Sequence, residues 1–258
     1  MKVFNVMSSP GSGKTALLAK ILPRLMGRHP LCAVIGDQET SLDADRLQKA
    51  GVPSLQINTH SACHLDADRV ARALAKIDAR GVCGGAGGTD LGGGGADGAA
   101  SGGGGADGAA SGGRARETTD LGSAAHADLQ GIEWLFIENV GNLVCPAVFD
   151  LGESFKIALL SVTEGEEKPL KYPVLFQDAD LIVISKSDLL PYLDFDRQLL
   201  LKNVRVQNKK APLVFCSVKS GEGLDELMGQ LEDLNSANIS TTKNHAFLER
   251  ETLTMEKP

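Results

Sequence analysis

Apolar positions in this chain come in short continuous runs, each followed by a polar or glycine-bearing loop and then by a stretch with helical spacing. Residues 2–7 are the first run and predict a strand, and residues 14–28 predict a helix that Pro23 should break late. Residues 31–36 predict a second strand ending at Asp37. Residues 43–50 predict a short helix closed by Gly51, and 55–57 a third strand. After Thr59-His60-Ser61-Ala62-Cys63-His64, apolar positions at Leu65, Val70, Leu74 and Ile77 mark an amphipathic helix. Further strands are expected at 132–137, 157–162, 181–184 and 213–216, with a final helix over 224–234. This alternation predicts an α/β fold, a mostly parallel sheet with helices on both faces.

One segment breaks the pattern. Residues 84–113 hold 16 of the chain's 30 glycines, and Gly-Gly-Gly-Gly-Ala-Asp-Gly-Ala-Ala-Ser occurs at 92–101 and again at 102–111. Nothing apolar recurs that a solenoid would bury. Residues 84–128 are therefore expected to be a flexible Gly-rich insertion. That leaves 1–83 and 129–234 as a single domain and 235–258 as a loose C-terminal tail. A metal-binding role for the insertion is weakened because His126 is its only His or Cys.

The net charge of −7 argues against a nucleic-acid partner, which usually selects a basic patch. No apolar run approaches a membrane span, and a strand at the N-terminus leaves no room for a signal peptide, so no membrane association and a cytoplasmic location are expected. The five cysteines (Cys32, Cys63, Cys83, Cys145 and Cys216) form no disulfide-like framework, which suits a reducing compartment.

Ser8-Ser9-Pro10-Gly11-Ser12-Gly13-Lys14-Thr15 lies between the first strand and the first helix, the context that a phosphate-binding loop requires. Gly11 and Gly13 let the backbone wrap so that successive N–H groups, Ser12's among them, point at phosphate oxygens. Lys14 would reach the β- and γ-phosphates and the Thr15 hydroxyl would hold Mg²⁺. The bland alternative is a Gly-rich turn. Ser8 stands where the pattern usually has Gly. Asp37 and Glu138 each end an apolar strand, where they can supply carboxylates to Mg²⁺ or its waters or merely cap a helix.

Ser185-Lys186-Ser187-Asp188 resembles the N-K-x-D element with which GTPases read guanine, and Ser217-Val218-Lys219 has the spacing of the S-A-K element. Asp188 can accept from the guanine N1–H and N2 amine together, and Lys186 can lie along the base. Ser217 and Lys219 would support O6. With both elements in order after strands, guanine is expected over adenine. Ser185 replaces the usual Asn, so one supporting hydrogen bond should be lost or shortened. Cys63, His64 and Cys145 offer two thiolates and an imidazole, a set that suits Ni²⁺ or Zn²⁺ but is too small to close a tetrahedral site. On spacing alone, two buried thiols and a capping His remain the alternative.

With Cys63-His64-Leu65-Asp66-Ala67, Glu138-Asn139-Val140-Gly141-Asn142-Leu143-Val144-Cys145-Pro146 and Ser161-Val162-Thr163-Glu164-Gly165, the chain resembles the HypB family of GTPases that serve nickel insertion in hydrogenase maturation. The resemblance covers most of 1–83 and 130–234. It implies a phosphate-loop GTPase that turns GTP into GDP using Lys14, Asp37 and Glu138. It also implies a GTP-dependent homodimer that shares a nickel or zinc site built from Cys63, His64 and Cys145. The implied partners are other hydrogenase maturation factors and the hydrogenase large subunit. A urease-directed nickel GTPase, or a regulatory GTPase without metal transfer, are the rival readings. The N-terminal cysteine motif and His-rich region of many relatives are absent, so storage-type nickel binding is not expected, and the Gly-rich insertion lies outside the family pattern.

Overall fold

A computed structural model describes residues 1–37, 42–59, 64–80 and 131–237 of the 258-residue chain. Seven parallel strands form one sheet: β1 (Lys2–Ser8), β2 (Leu31–Asp37), β3 (Ser54–Asn58), β4 (Trp134–Glu138), β5 (Phe155–Ser161), β6 (Leu181–Ser185) and β7 (Leu213–Phe215), in the spatial order β3-β2-β4-β1-β5-β6-β7. The parallel expectation holds for every described pairing. The Gly-rich tract and the tail from 238 onward lie outside the described residues.

Side chains alternate across the sheet as the strand period requires. Phe4 and Val6 face a core with α1 (Lys14–Met26), α2 (Leu42–Lys49) and α8 (Leu224–Ala237). Within it Phe4 stacks on Phe136 at 4.7 Å and on Phe155 at 5.1 Å. Val3 and Met7 face the opposite side, where two clusters form. One collects around α3 (Ala67–Arg80). The other collects around α4 (Cys145–Val148), α6 (Pro173–Gln177) and α7 (Arg197–Gln207), with α5 (Lys168–Lys171) beside them. Asn5 lies between Val3 and Met7 on β1 and is fully buried among these apolar neighbours.

Two local expectations need correction. Pro23 does not break α1, which continues through it to Met26. Proline removes one backbone donor, and the buried Leu22 and Leu25 on either side hold the last turn against the sheet. Residues 197–207, with no expected element, form α7, capped by Asp196, whose Oδ1 accepts from Gln198 N at 2.8 Å and Leu199 N at 3.1 Å. No described helix is long and apolar enough to cross a membrane.

The register brings the carboxyl ends of the strands level. Val6 on β1 pairs with Glu138 on β4, Ile35 on β2 pairs with Glu138, and Ser161 on β5 pairs with Ser185 on β6. In open parallel sheets ligands gather at this edge. Every loop with expected chemistry leaves the sheet there.

Candidate functional site

The loop after β1 is built by its glycines and serines. Gly11 (φ 74°) and Gly13 (φ 95°) occupy the left-handed region, so the chain turns tightly into α1. Ser12 turns its side chain inward, donating to Ser8 Oγ and to the Ser9 carbonyl (2.9 Å), and only its backbone remains to face a ligand. Gly141 packs against the loop. A Cβ there would fall 3.0 Å from Pro10 Cα, so a larger residue would displace the loop.

A cavity of about 490 Å³ opens over this loop, lined by Gly11, Gly13, Lys14, Thr15, Asp37, Asp43, Arg46, Glu138, Asn139 and Gly141 among others. Lys14 is buried at its edge and donates to Ser8 Oγ at 2.8 Å. Burial lowers its pKa, opposed by the charges of Glu138, Asp43, Glu164 and Asp37. Thr15 Oγ1 donates to Glu138 Oε1 at 2.7 Å. Burial pushes the Glu138 carboxyl up to about 7 against the Thr15 hydrogen bond and the Lys14 charge. Its second oxygen, Oε2, is buried without a hydrogen-bond partner. A hydroxyl and a carboxylate with an unused buried oxygen are hard oxygen donors, and they fit Mg²⁺. Asp37 closes the cavity from the end of β2.

The second set of loops meets the first. Lys186 is the only described non-glycine residue with positive φ (59°), and its Nζ donates to the Gly11 carbonyl at 2.7 Å. The buried Ser185 hydroxyl donates to the Ser12 carbonyl at 2.7 Å. Asp188 Oδ1 accepts from Ser217 Oγ at 2.6 Å, joining the two elements expected to read the base. Ser217 Oγ in turn accepts from the backbone N–H groups of Lys219 and Ser220, both at 3.1 Å, while the Lys219 side chain is exposed.

Of the expected metal set, Cys63 lies outside the described residues. The His64 ring stacks on Phe149 with centroids 3.8 Å apart, which brings it beside the segment that carries Cys145 at the start of α4. Asn142 Oδ1 accepts from the backbone N–H of Cys145 at 3.1 Å and of Val144 at 2.7 Å, fixing that turn. Among the described residues no group of three His, Cys, Asp or Glu side chains forms a closed metal cluster.

Comparison with known proteins decides the family. Residues 2–215 match the model of the CobW/HypB/UreG nucleotide-binding domain. The chain belongs to this family. It is 43% identical over 230 residues to the hydrogenase maturation factor HypB of Azotobacter vinelandii, covering 89% of this chain and 59% of that protein. It is 32% identical over 245 residues to the hydrogenase/urease maturation factor HypB of Helicobacter pylori, covering 95% and 81%. The crystal structure of HypB from Helicobacter pylori in complex with nickel superposes with a TM-score of 0.71 at 32% identity, covering 94% of this chain and 90% of that one. HypB from Archaeoglobus fulgidus gives 0.65 at 27% identity, covering 91% and 90%. The chain spans about three-fifths of the length of the Azotobacter relative.

The site includes residues that sequence reasoning did not single out. Glu164 caps the turn after β5, accepting from Ser161 N at 2.9 Å, and its other oxygen accepts from Ser9 Oγ of the phosphate loop. The Ser-x-x-Glu spacing of a capping box was the available signal. Arg46 and Asp43 enter the cavity from α2, and no motif marked them. Asn139 entered only as part of the 138–146 stretch that carries the family resemblance.

Proposed function

We propose that this chain is a GTP-hydrolysing metallochaperone that delivers nickel during nickel–iron hydrogenase maturation, with its GTP or GDP state setting the affinity of a Cys/His metal site. The observation that carries it is the meeting of the phosphate cavity and the Asp188–Ser217 pair through the Lys186–Gly11 contact. This arrangement suits a guanine nucleotide whose phosphates lie on Gly11, Ser12, Gly13, Lys14 and Thr15. Lys14 sets positive charge against the phosphoryl oxygens where negative charge grows, and Asp37 and Glu138 orient water at the cavity. Thr15, Asp37 and Glu138 would hold Mg²⁺, which when bound neutralises charge on the β- and γ-phosphates. Asp188 and Lys186 read guanine, with Ser217 and the Lys219 backbone supporting it.

Nickel is the cargo. The nickel-bound relative and the relatives named hydrogenase maturation factors support this reading. Cys63, His64 and Cys145 would take Ni²⁺, and Zn²⁺ suits the same soft set. Three ligands leave a site open for transfer or for a second copy. The exposed Val144, Val148 and Phe149 beside Cys145 favour a GTP-dependent homodimer that covers this face. Hydrogenase maturation factors and the hydrogenase large subunit would receive the metal in the cytoplasm. We assign residues 84–128 as an insertion outside the nucleotide-binding domain of 1–83 and 129–234, and 235–258 as a tail. The Helicobacter relative's name also carries urease, which makes a urease target the second reading.

Nickel titration of the purified chain, with and without guanine nucleotide, tests the proposal. Cys145→Ala should weaken nickel binding at least about tenfold, in line with loss of a coordinating ligand, while GTP affinity stays within twofold. Unchanged nickel affinity in the variant, or preference for ATP over GTP in competition, would overturn it.

A further inference from the structure

The segment that carries Cys63 and His64 is bracketed by two attachments to the strand ends that border the phosphate cavity. Before it, the buried Thr59 donates its backbone N–H to the Asp37 carbonyl at 2.8 Å and its hydroxyl to the same oxygen at 3.2 Å. After it, Leu65, fully buried, donates its backbone N–H to Asn139 Oδ1 at 3.2 Å. Its side chain fills the space over Gly36, where a Cβ would fall 2.7 Å from Leu65 Cγ and Cδ1. Gly36 precedes Asp37 and Asn139 follows Glu138, so both cavity carboxylates have a neighbour in the chain that grips Leu65.

Asn139 is itself firmly held. Its Oδ1 also accepts from Val140 N at 2.9 Å, its backbone N–H donates to the Val6 carbonyl at 3.0 Å, and its Nδ2 donates to Asn5 Oδ1 at 3.3 Å. Asn5 Nδ2 continues the line to Glu153 Oε1 at 3.2 Å. Such a string, with Leu65, Asn139 and Asn5 almost fully buried, resists separate movement of its members, because each would otherwise lose a buried partner.

The geometry points to Asn139 and Leu65 as the positioning residues through which nucleotide state reaches the nickel site. This rests on the nickel-GTPase reading above. A displacement of the β2 and β4 ends towards bound phosphate carries Gly36 and Asn139 with it. Leu65, gripped by both, must follow, and His64 is joined to it by one peptide bond. Close-packed interiors transmit such shifts rather than absorb them. Metal–ligand distances tolerate only about 0.2 Å, so a small shift at His64 is enough to change affinity.

The test is calorimetric titration of the full chain with Ni²⁺ at saturating GDP–Mg²⁺ and at a saturating non-hydrolysable GTP analogue with Mg²⁺. Saturation removes any change in nucleotide affinity from the comparison. In the wild-type chain the two nickel affinities should differ at least about fivefold, and nickel should shift analogue affinity relative to GDP by the same factor. In Asn139→Ala the ratio should fall to within twofold of unity with nickel stoichiometry kept. Gly36→Ala moves the Leu65 side chain without stripping a buried polar group and should alter the ratio as well, which keeps the proposal testable should Asn139→Ala fail to fold. A wild-type ratio in both variants overturns the clamp and leaves the nickel-GTPase reading standing. Loss of nickel binding in both nucleotide states of both variants makes these residues mere supports of the loop, and also overturns it. Equal affinities, or no nickel binding, in the wild-type chain overturn the underlying reading and the clamp with it.

Discussion

Glu138 combines two requirements that pull against each other. The carboxylate that we propose for Mg²⁺ must ionise, yet it is almost fully buried at the end of β4 with one oxygen unpartnered. Its carboxyl, ordinarily near 4.5, is pushed up to about 7. Below pH 4.5 it is protonated in folded and unfolded chains alike. Between pH 4.5 and 7 the unfolded chain releases the proton and the folded chain keeps it, so stability falls as pH rises through this window. The loss is complete above the folded value and amounts to about 3 kcal/mol. Glu138→Gln should therefore gain on the wild type as pH rises from 4.5 to 7 in chemical denaturation without nucleotide or Mg²⁺, while weakening Mg²⁺-dependent nucleotide binding at least about tenfold. A stability difference that does not vary with pH would contradict this account. Sequence alone could place Glu138 at a strand end. It could not show that the partner of Oε1 would be Thr15, since that contact joins residues 123 apart. Ser185 shows the same limit. Its replacement of Asn was legible, but the partner of its hydroxyl was not, because the acceptor is a carbonyl 173 residues away.

At the scale of elements, the phosphate loop was legible because its chemistry is local: glycines, lysine and threonine at fixed offsets between a strand and a helix. The turn from β7 to α8 is almost as local. Ser217 N donates to the Glu222 carbonyl and Gly221 N to the Ser217 carbonyl, both at 2.9 Å, closing a small loop around Ser217, which we propose supports the base. Gly223 lets it close. Its φ is 71°, and a Cβ there would lie 2.0 Å from the Phe215 carbonyl oxygen. Gly223→Ala should cost at least about 2 kcal/mol and weaken guanine binding together with stability, measurable by thermal unfolding and fluorescent GDP titration. Wild-type stability in that variant would show that the turn has another conformation. α7 escaped sequence reading because its buried stripe is only Leu200, Asn203 and Val204, one of them polar, while the apolar Leu199 and Val206 are exposed and blur the pattern. Asn203 earns its place by a tertiary bond, donating to the Glu166 carbonyl at 2.9 Å. Asn208 beyond the helix donates to the carbonyls of Phe176 and Ala179. Periodicity cannot see partners of that kind.

For the whole molecule, alternation of strands and helices predicted the parallel sheet, whereas strand order depended on pairings far apart in sequence. β4 enters between β1 and β2 only after residues 81–130, and nothing local in Trp134–Glu138 names its neighbours. The finished sheet explains why so long a connection is compatible with the fold. Lys2 pairs with Trp134 and Leu31 pairs with Trp134, so β4 is fixed from both sides by its own backbone and by buried Trp134, Leu135, Phe136 and Ile137. The buried clusters of the described residues are built from the strands and from helices on both faces of the sheet. A chain lacking 90–118 should consequently keep the sheet, its nucleotide affinity and the GTPase activity that we propose for it. Loop closure depends only logarithmically on length, so cutting this connection to less than half should stabilise the protein by about 0.8 kcal/mol, provided that the tract itself is unstructured. Denaturant titration of the two chains measures the difference. A loss of more than about 2 kcal/mol on deletion would mean that the glycine-rich residues pack against the domain, and the boundary drawn at 84–128 would have to move.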